Sequence, residues 1–155
     1  MNKNLLIVGH VPSPNTEILR DAVVKGATSP DVSGIRVVVR SPFEANAEDV
    51  LKADGIILGT TENLGYMSGA LKDFFDRIYY PCLEKKQGLP YGIYIRAGHD
   101  GTGTKRAVET IITGLRWTPV QEDALICRGD YKSEFENQCE ELGMLMAAGL
   151  EAGIF

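Results

Sequence analysis

Short polar side chains and glycines are concentrated in three segments of the chain, and each segment follows an apolar run. The first is HVPSPNT (10–16), in which Ser13, Asn15 and Thr16 stand where a helix would begin. Hydroxyl and amide groups at a helix N-terminus, with its free backbone N–H groups, can bind a phosphate without a lysine. Simple capping is the alternative, because Ser13 followed by Pro14 is an ordinary N-cap with proline in the first turn.

The second segment is TTENLGYMSG (60–69), which combines two glycines with apolar side chains. Glycine lets a backbone approach a flat ligand closely, and Leu64, Tyr66 and Met67 offer apolar surface against which a ring could pack. The alternative is a connecting loop whose tyrosine belongs to the core.

The third segment is AGHDGTGT (97–104), which places three glycines within six residues before a predicted helix. Backbone N–H groups in such a loop are free to meet a ligand. The alternative is a flexible turn in which Thr104 caps the helix.

Several other chemistries are not indicated by the sequence. It has neither GxGxxG for a dinucleotide nor GxxxxGK[ST] for a nucleoside triphosphate, and its first and third strands do not end in the clustered acids of a phosphoryl receiver. Cys82, Cys127 and Cys139 are widely spaced and form no CxxC pair, so neither a disulfide framework nor a zinc site is expected. We expect these cysteines to be buried as small apolar side chains.

Five apolar runs rich in β-branched residues alternate with segments of helical spacing, which predicts βαβ units and a mostly parallel sheet. The predicted strands are 4–9, 35–40, 55–60, 91–97 and 124–127. Helical stripes lie within 18–23, 70–79 and 107–115, a shorter helix is expected within 44–53, and a last helix covers roughly 132–152. The three polar segments follow the first, third and fourth strands, where ligands bind in doubly wound folds.

Two of these segments resemble a known family. The run GYMSGALKDFFDR (65–77) closely resembles the segment after the third strand of NADPH-dependent FMN reductases and flavodoxin-like quinone reductases, and Ser13-Pro14-Asn15-Thr16 resembles their phosphate loop. Five strands alone also fit a truncated dinucleotide-binding fold. The resemblance implies a single flavodoxin-like α/β domain over 1–155, with a five-stranded parallel sheet in the order 2-1-3-4-5 and helices on both faces.

The resemblance also implies non-covalently bound FMN. Ser13, Asn15 and Thr16 would hold its phosphate, with His10 beside the cofactor although its own side chain is interpreted as structural. The residues implied to lie against the isoalloxazine and ribityl chain are Thr61, Glu62, Asn63, Leu64, Gly65 and Tyr66. Family members usually carry proline at the position of Thr61 and often an aromatic residue at Asn63 or Leu64, so this chain departs from the pattern there.

In the same family the loop after the fourth strand lines the pyrimidine side of the flavin, which here implies Ala97, Gly98, His99 and Gly101. His99 is the candidate catalytic residue, because an imidazole titrates near neutrality and could help to protonate a quinone or the flavin. Support of the loop is its alternative role. Arg96 fits equally an ion pair at the surface and a charge beside the flavin or nicotinamide.

Three functions are open at this point. The first is an FMN-dependent oxidoreductase that passes hydride from NADPH or NADH to a small acceptor, such as a quinone, free flavin, or a nitro or azo compound. The second is a flavodoxin-type electron carrier, and the third is a domain of this fold that has lost its cofactor. The two nicotinamide donors are not distinguished, because no Arg/Lys cluster in the sequence marks a 2′-phosphate site.

Charge and apolar composition limit the classes of partner and the cellular location that we expect. The net charge is −5 and there is no basic block, so nucleic acid is not an expected partner. The N-terminal apolar run is five residues long, too short for a signal peptide or a membrane span, so we expect a cytoplasmic protein. The apolar C-terminal segment 144–155 either forms the interface of a homodimer or homotetramer or completes the last helix against the sheet.

Overall fold

A parallel sheet forms the centre of the molecule in the computed structural model, which describes residues 2–155. Its strands, in chain order, are β1 (Lys3–Gly9), β2 (Ile35–Arg40), β3 (Gly55–Asn63), β4 (Tyr66–Met67), β5 (Pro90–Ala97), β6 (Thr118–Pro119) and β7 (Leu125–Arg128). The five longest strands pair in parallel in the order β2-β1-β3-β5-β7. This is the order 2-1-3-4-5 implied by the resemblance, which is therefore confirmed.

The edge beyond β5 is built from two pieces, because both β6 and β7 pair with β5. Between them the side chain of Gln121 accepts a hydrogen bond from the Ile93 N–H at 2.8 Å and donates one to the Ile93 carbonyl at 3.2 Å. The amide side chain thus replaces one residue of the interrupted strand. The sequence predicted only the second piece, because two residues carry no strand signal.

Five helices cover the two faces of the sheet. They are α1 (Pro14–Ala27), α2 (Ala47–Lys52), α3 (Gly69–Cys82), α4 (Thr102–Leu115) and α5 (Glu134–Ala152). One apolar cluster joins α1 and α5 to the sheet through residues such as Leu19, Val23 and Met146. The other joins α2, α3 and α4 through residues such as Phe74, Phe75 and Ile112. None of these helices combines the length and the apolar character needed to cross a membrane, as judged over the described residues.

Burial of the three cysteines is confirmed, because Cys82, Cys127 and Cys139 are all inaccessible and carry free thiols. The neighbouring Cys127 thiol, together with burial, raises the pKa of Cys139. In the C-terminal segment, Met146 and Leu150 of α5 lie in the core, and Phe155 folds back onto Gly149.

One alternative considered for the sequence is wrong. Thr104 is not the cap of α4: the N-cap is Gly101, whose φ of 72° is left-handed, and Thr104 lies buried inside the helix. A second local feature concerns Arg77, which forms an ion pair with Asp73 at 2.8 Å. It also donates to the carbonyls of Ala45 and Pro42, so it fixes the segment between β2 and α2 to α3.

Candidate functional site

The three polar segments meet at one edge of the sheet. They follow the carboxyl ends of β1, β3 and β5, which are neighbouring strands in the order given above. Ligands of doubly wound folds bind outside this edge, where helices on the two sides of the sheet diverge. The structure therefore brings the predicted phosphate loop, ring-contacting loop and pyrimidine loop together.

The first segment enters α1 through a complete capping box. The Ser13 hydroxyl accepts from the Thr16 N–H at 3.3 Å, and the Thr16 hydroxyl accepts from the Ser13 N–H at 3.0 Å and donates to the Ser13 carbonyl at 2.9 Å. Thr16 is buried, whereas Asn15 is exposed. Capping thus occupies Ser13 and Thr16, and Asn15 is an exposed polar side chain at the positive end of the helix.

His10 lies between β1 and the rest of this loop. Its backbone N–H donates to the Gly59 carbonyl at 3.0 Å, which extends the pairing of β1 and β3 by one residue. The imidazole is half-buried, and this burial lowers its pKa. The side chain therefore tends to be neutral near physiological pH, because burial disfavours the imidazolium.

The second segment forms a hairpin that the sequence did not predict. Strand β3 continues to Asn63 and pairs with β4 in antiparallel fashion, with Asn63 opposite Tyr66. The two turn residues have positive φ, 52° for Leu64 and 77° for Gly65, which is the pattern of a type I′ turn. Leucine is unusual in this conformation, and a non-glycine residue held there costs on the order of 1 kcal/mol.

Leu64 is also fully exposed at the tip of the hairpin, and the neighbouring Tyr66 is 42% exposed. Leu64 thus carries backbone strain and leaves its apolar side chain in solvent, so neither feature stabilises the fold on its own. Such a combination is typical of a residue kept for contact with a ligand or partner.

Glu62 joins the second segment to the third. Its carboxylate accepts hydrogen bonds from the backbone N–H groups of His99 at 3.0 Å and Gly101 at 2.9 Å. The Thr104 hydroxyl adds a bond to the Tyr66 carbonyl at 2.9 Å, and Gly103 lets the hairpin approach the first turn of α4 closely. The hairpin and the loop after β5 thus form one rigid unit. The sequence did not reveal this unit, because the residues that bond across it are nearly 40 positions apart.

Ala97 is buried at the end of β5, while Gly98 and His99 are exposed. The His99 imidazole makes no hydrogen bond within residues 2–155, and only its backbone N–H is engaged, by Glu62. A catalytic role for His99 stays a prediction.

The Tyr94 ring packs against Gly59 of β3 near this edge of the sheet. It crosses Gly59, where any Cβ would collide with the ring, and its hydroxyl reaches toward Gly9 and the Arg20 side chain. The hydroxyl is fully buried and has no hydrogen-bond partner within the described residues. Burial raises the pKa of Tyr94 well above its usual range, so the group stays neutral.

Arg96 does not form the surface ion pair considered for it, and its other role, as a charge beside the flavin or nicotinamide, stays a prediction. Its guanidinium donates to the carbonyls of Ala97 and Cys127 at 2.9 and 3.0 Å and packs on the rings of Tyr131 and Phe135. It forms no ion pair with a carboxylate over residues 2–155. Arg96 therefore supports the junction of β5, β7 and α5.

The residues of this edge fit FMN in three respects. The amides of His99 and Gly101 are held by Glu62, and the exposed backbone of Gly98 in the same loop faces solvent, where it can meet acceptors such as the carbonyls of a flavin. Leu64 and Tyr66 present apolar surface to a ring, and Asn15 lies at a helix N-terminus suited to a phosphate. Over the described residues, no group of three or more His, Cys, Asp or Glu side chains could hold a metal ion.

Comparison with known proteins agrees with this description. The model of the family described as NADPH-dependent FMN reductase matches residues 16–130. A flavodoxin of Aquifex aeolicus is 31% identical over 111 residues, covering 72% of this chain and 59% of that protein. Quinone-oxidoreductase QR2 of Triphysaria versicolor is 33% identical over 102 residues, covering 64% of this chain and 45% of that protein. The chain thus spans about half the length of these curated relatives.

Among solved structures, a flavodoxin from the domain Archaea superposes with a TM-score of 0.80. It is 18% identical, and the match covers 95% of this chain and 98% of the flavodoxin. At this identity the similarity establishes the flavodoxin-like fold alone.

Proposed function

Since this chain belongs to the NADPH-dependent FMN reductase family, we propose that it is an FMN-dependent NAD(P)H oxidoreductase. FMN, when bound, supplies the chemistry: it accepts hydride from NADPH or NADH and passes reducing equivalents to a small acceptor such as a quinone or free flavin. The observation that supports the proposal is that three features meet at one edge of the sheet. They are a helix N-terminus suited to an anion, an exposed apolar hairpin tip and a loop rich in backbone N–H groups.

The phosphate is assigned to the N-terminus of α1. Ser13 and Thr16 hold the first turn in place through the capping box, and this leaves the exposed Asn15, with its backbone N–H and its side-chain amide, to meet the anion. The positive end of the helix dipole attracts the anion. Ser13 and Thr16 thus act mainly through the backbone they fix, and Asn15 is the direct side-chain donor.

The ring is assigned to the hairpin and the loop after β5. Thr61 and Asn63 are already bonded to each other at 2.7 Å, which stiffens the hairpin beside the ring. Leu64, Gly65 and Tyr66 supply the apolar side, and Ala97, Gly98, His99 and Gly101 form the polar side. The chain orients the ring and limits water on one face, and His99 is exposed where it could give a proton to an acceptor.

The first test is FMN titration followed by anaerobic addition of NADPH or NADH with absorbance detection. We expect the protein to bind FMN and the flavin bands to bleach rapidly with one nucleotide. An Asn15→Ala variant should lose affinity for FMN but not for riboflavin, which lacks the phosphate. Asn137→Ala, an exposed asparagine on α5, is the matched control and should change neither affinity. Failure of the wild type to bind FMN would remove the proposal and leave the family and the fold.

A flavodoxin-type electron carrier is the second candidate. The similarity to the Aquifex aeolicus flavodoxin favours it, whereas the net charge of −5 is modest for a carrier that negative charge steers toward basic partners. The same titration separates the two: a carrier retains FMN that dithionite reduces but that neither nucleotide reduces at a useful rate.

A further inference from the structure

A cavity of about 290 Å³ opens at the carboxyl ends of β1 and β2, next to the phosphate loop. It lies on the far side of β1 from the hairpin and the loop after β5, because β2 is the outer neighbour of β1. Its lining residues are Gly9, His10, Val11, Arg20, Val39, Arg40, Ser41, Pro42, Phe43 and Glu44. We call this cavity the β1–β2 crevice.

Two arginines that are 20 positions apart in the sequence line the crevice together. Arg20 uses Nε and Nη2 on the Asp21 carboxylate at 3.0 Å, and Arg40 uses Nη1 on the Val39 carbonyl at 3.1 Å. A guanidinium carries five N–H donors, so each arginine retains donors for a further acceptor. The planar, permanently charged guanidinium suits phosphate better than other side chains do.

The acidic groups at the crevice are already engaged. Asp21 holds Arg20, Asp49 accepts from the Asn46 N–H and lies 3.9 Å from Arg40, and Glu44 accepts from the Ser41 N–H at 2.9 Å. The crevice and these neighbours, two arginines against three carboxylates, therefore carry a formal charge of −1. The crevice offers directed donors rather than a strong positive field, which suits one phosphate attached to a group with further contacts of its own.

Phe43 supplies such a contact. Its ring is 68% exposed although the segment that carries it is firmly held. Arg77 of α3 donates to the carbonyls of Pro42 and Ala45 at 2.6 and 2.8 Å, and Ser41 and Glu44 bond to each other's backbone N–H groups. An exposed aromatic ring on a held segment that lines the same cavity as two arginines can recognise a phosphorylated nucleoside, by stacking on the base while the arginines pair with the phosphate.

We propose that the β1–β2 crevice binds the adenosine 2′-phosphate part of NADPH, an inference that rests on the proposed function. Neighbouring strands are about 4.8 Å apart, so the crevice lies two to three strand spacings, on the order of 10–15 Å, from a ring bound over β3 and β5. An extended dinucleotide spans that distance along the carboxyl edge of the sheet. Arg20 and Arg40 would bind the 2′-phosphate and Phe43 the adenine, which makes NADPH the preferred donor over NADH.

The test measures binding of 2′,5′-ADP to the full-length protein by calorimetry, both without FMN and with saturating FMN. We expect binding in both states, and binding of 5′-AMP or inorganic phosphate at least tenfold weaker. Arg40→Gln should weaken 2′,5′-ADP about tenfold or more, because it removes a charge-assisted pair. Phe43→Ala should weaken 2′,5′-ADP but leave inorganic phosphate unchanged.

Arg36→Gln is the matched control, since Arg36 is on the same strand but does not line the crevice, and it should change nothing. Equal loss in Arg36→Gln and Arg40→Gln would overturn the proposal, since it would reveal a general charge effect. Competition between 2′,5′-ADP and FMN would also overturn it, by placing the FMN phosphate in the crevice. Absence of 2′,5′-ADP binding in a protein that still reduces FMN would reject the crevice assignment and leave the proposed function intact.

Discussion

The carboxylate of Glu62 accepts a hydrogen bond from the backbone N–H of Gly101 at 2.9 Å, and this contact holds the hairpin after β3 against the start of α4. The same carboxylate also accepts a hydrogen bond from the backbone N–H of His99. An anionic side chain thus occupies donors that the family resemblance assigns to the pyrimidine side of the flavin. Glu62 is therefore both a structural clamp and a negative charge at the edge of the proposed ring site.

Removing the Glu62 clamp should destabilise the FMN-free protein. Glu62→Ala leaves two amides without their acceptor, and we expect the free energy of unfolding to fall by about 1–2 kcal/mol, measured by urea denaturation. Glu122→Ala, an exposed glutamate, serves as control and should have little effect. Equal unfolding free energies for Glu62→Ala and the wild type would contradict the clamp.

Glu62→Gln keeps an acceptor but removes the charge. A carboxylate beside the flavin opposes the negative charge that reduction brings, so the variant should bind reduced FMN more tightly relative to oxidised FMN. Its midpoint potential, measured by dye equilibration, should be more positive than that of the wild type. An unchanged or more negative potential would place the ring away from Glu62.

Leu64 should show opposite effects on stability and on binding. Leu64→Asn creates an Asn-Gly turn, which tolerates two positive φ values, and we expect unfolding free energy without FMN to rise by about 0.5–1 kcal/mol. FMN affinity should fall, because the apolar contact is lost. Leu64→Phe keeps the strain and enlarges the ring contact, so it should bind FMN more tightly without a gain in stability. Weaker FMN binding by Leu64→Phe would argue against ring contact at the hairpin tip.

Tyr94 offers a test inside the core. Its buried hydroxyl has no partner over residues 2–155, so Tyr94→Phe should raise the free energy of unfolding by up to about 1 kcal/mol. Gly59→Ala should lower it by about 1–3 kcal/mol, because the added methyl meets the Tyr94 ring. Tyr80→Phe, at a ring that is 78% exposed, is the neutral control. A clear loss of stability in Tyr94→Phe would reveal a hydrogen bond to a buried water.

The parallel sheet could be predicted from sequence because each central strand is a continuous apolar run between helical stripes. The predicted strand 35–40 coincides with β2, and the remaining central strands differ only at their ends. The hairpin was missed because β4 has two residues and its turn carries Leu64 where glycine or asparagine is usual. The residue types around Leu64 therefore did not indicate a tight turn.

The candidate site was predictable as three segments but not as an arrangement. The clamp between Glu62 and the His99–Gly101 loop joins residues that are distant in sequence, and so does the crevice that Arg20 and Arg40 both line. A linear search for an Arg/Lys cluster finds nothing, because each arginine stands on a different element. Only the order of strands brings β1, β2 and α1 together and makes the cluster visible.

His10 provides a pH-dependent test of the β1–β2 crevice. Burial lowers its pKa from the ordinary value of 6.5, so below about pH 6.5 the unfolded chain binds a proton that the folded protein resists. The stability contributed by neutral His10 is therefore present above that pH and is lost as the pH falls toward the lower folded pKa. A comparison of urea unfolding at several pH values should show a smaller loss of stability in acid for His10→Gln than for the wild type.

If 2′,5′-ADP binds in the crevice, its phosphate should raise the pKa of His10, measured by NMR titration of the imidazole. An unchanged pKa with bound 2′,5′-ADP would place that nucleotide elsewhere on the protein.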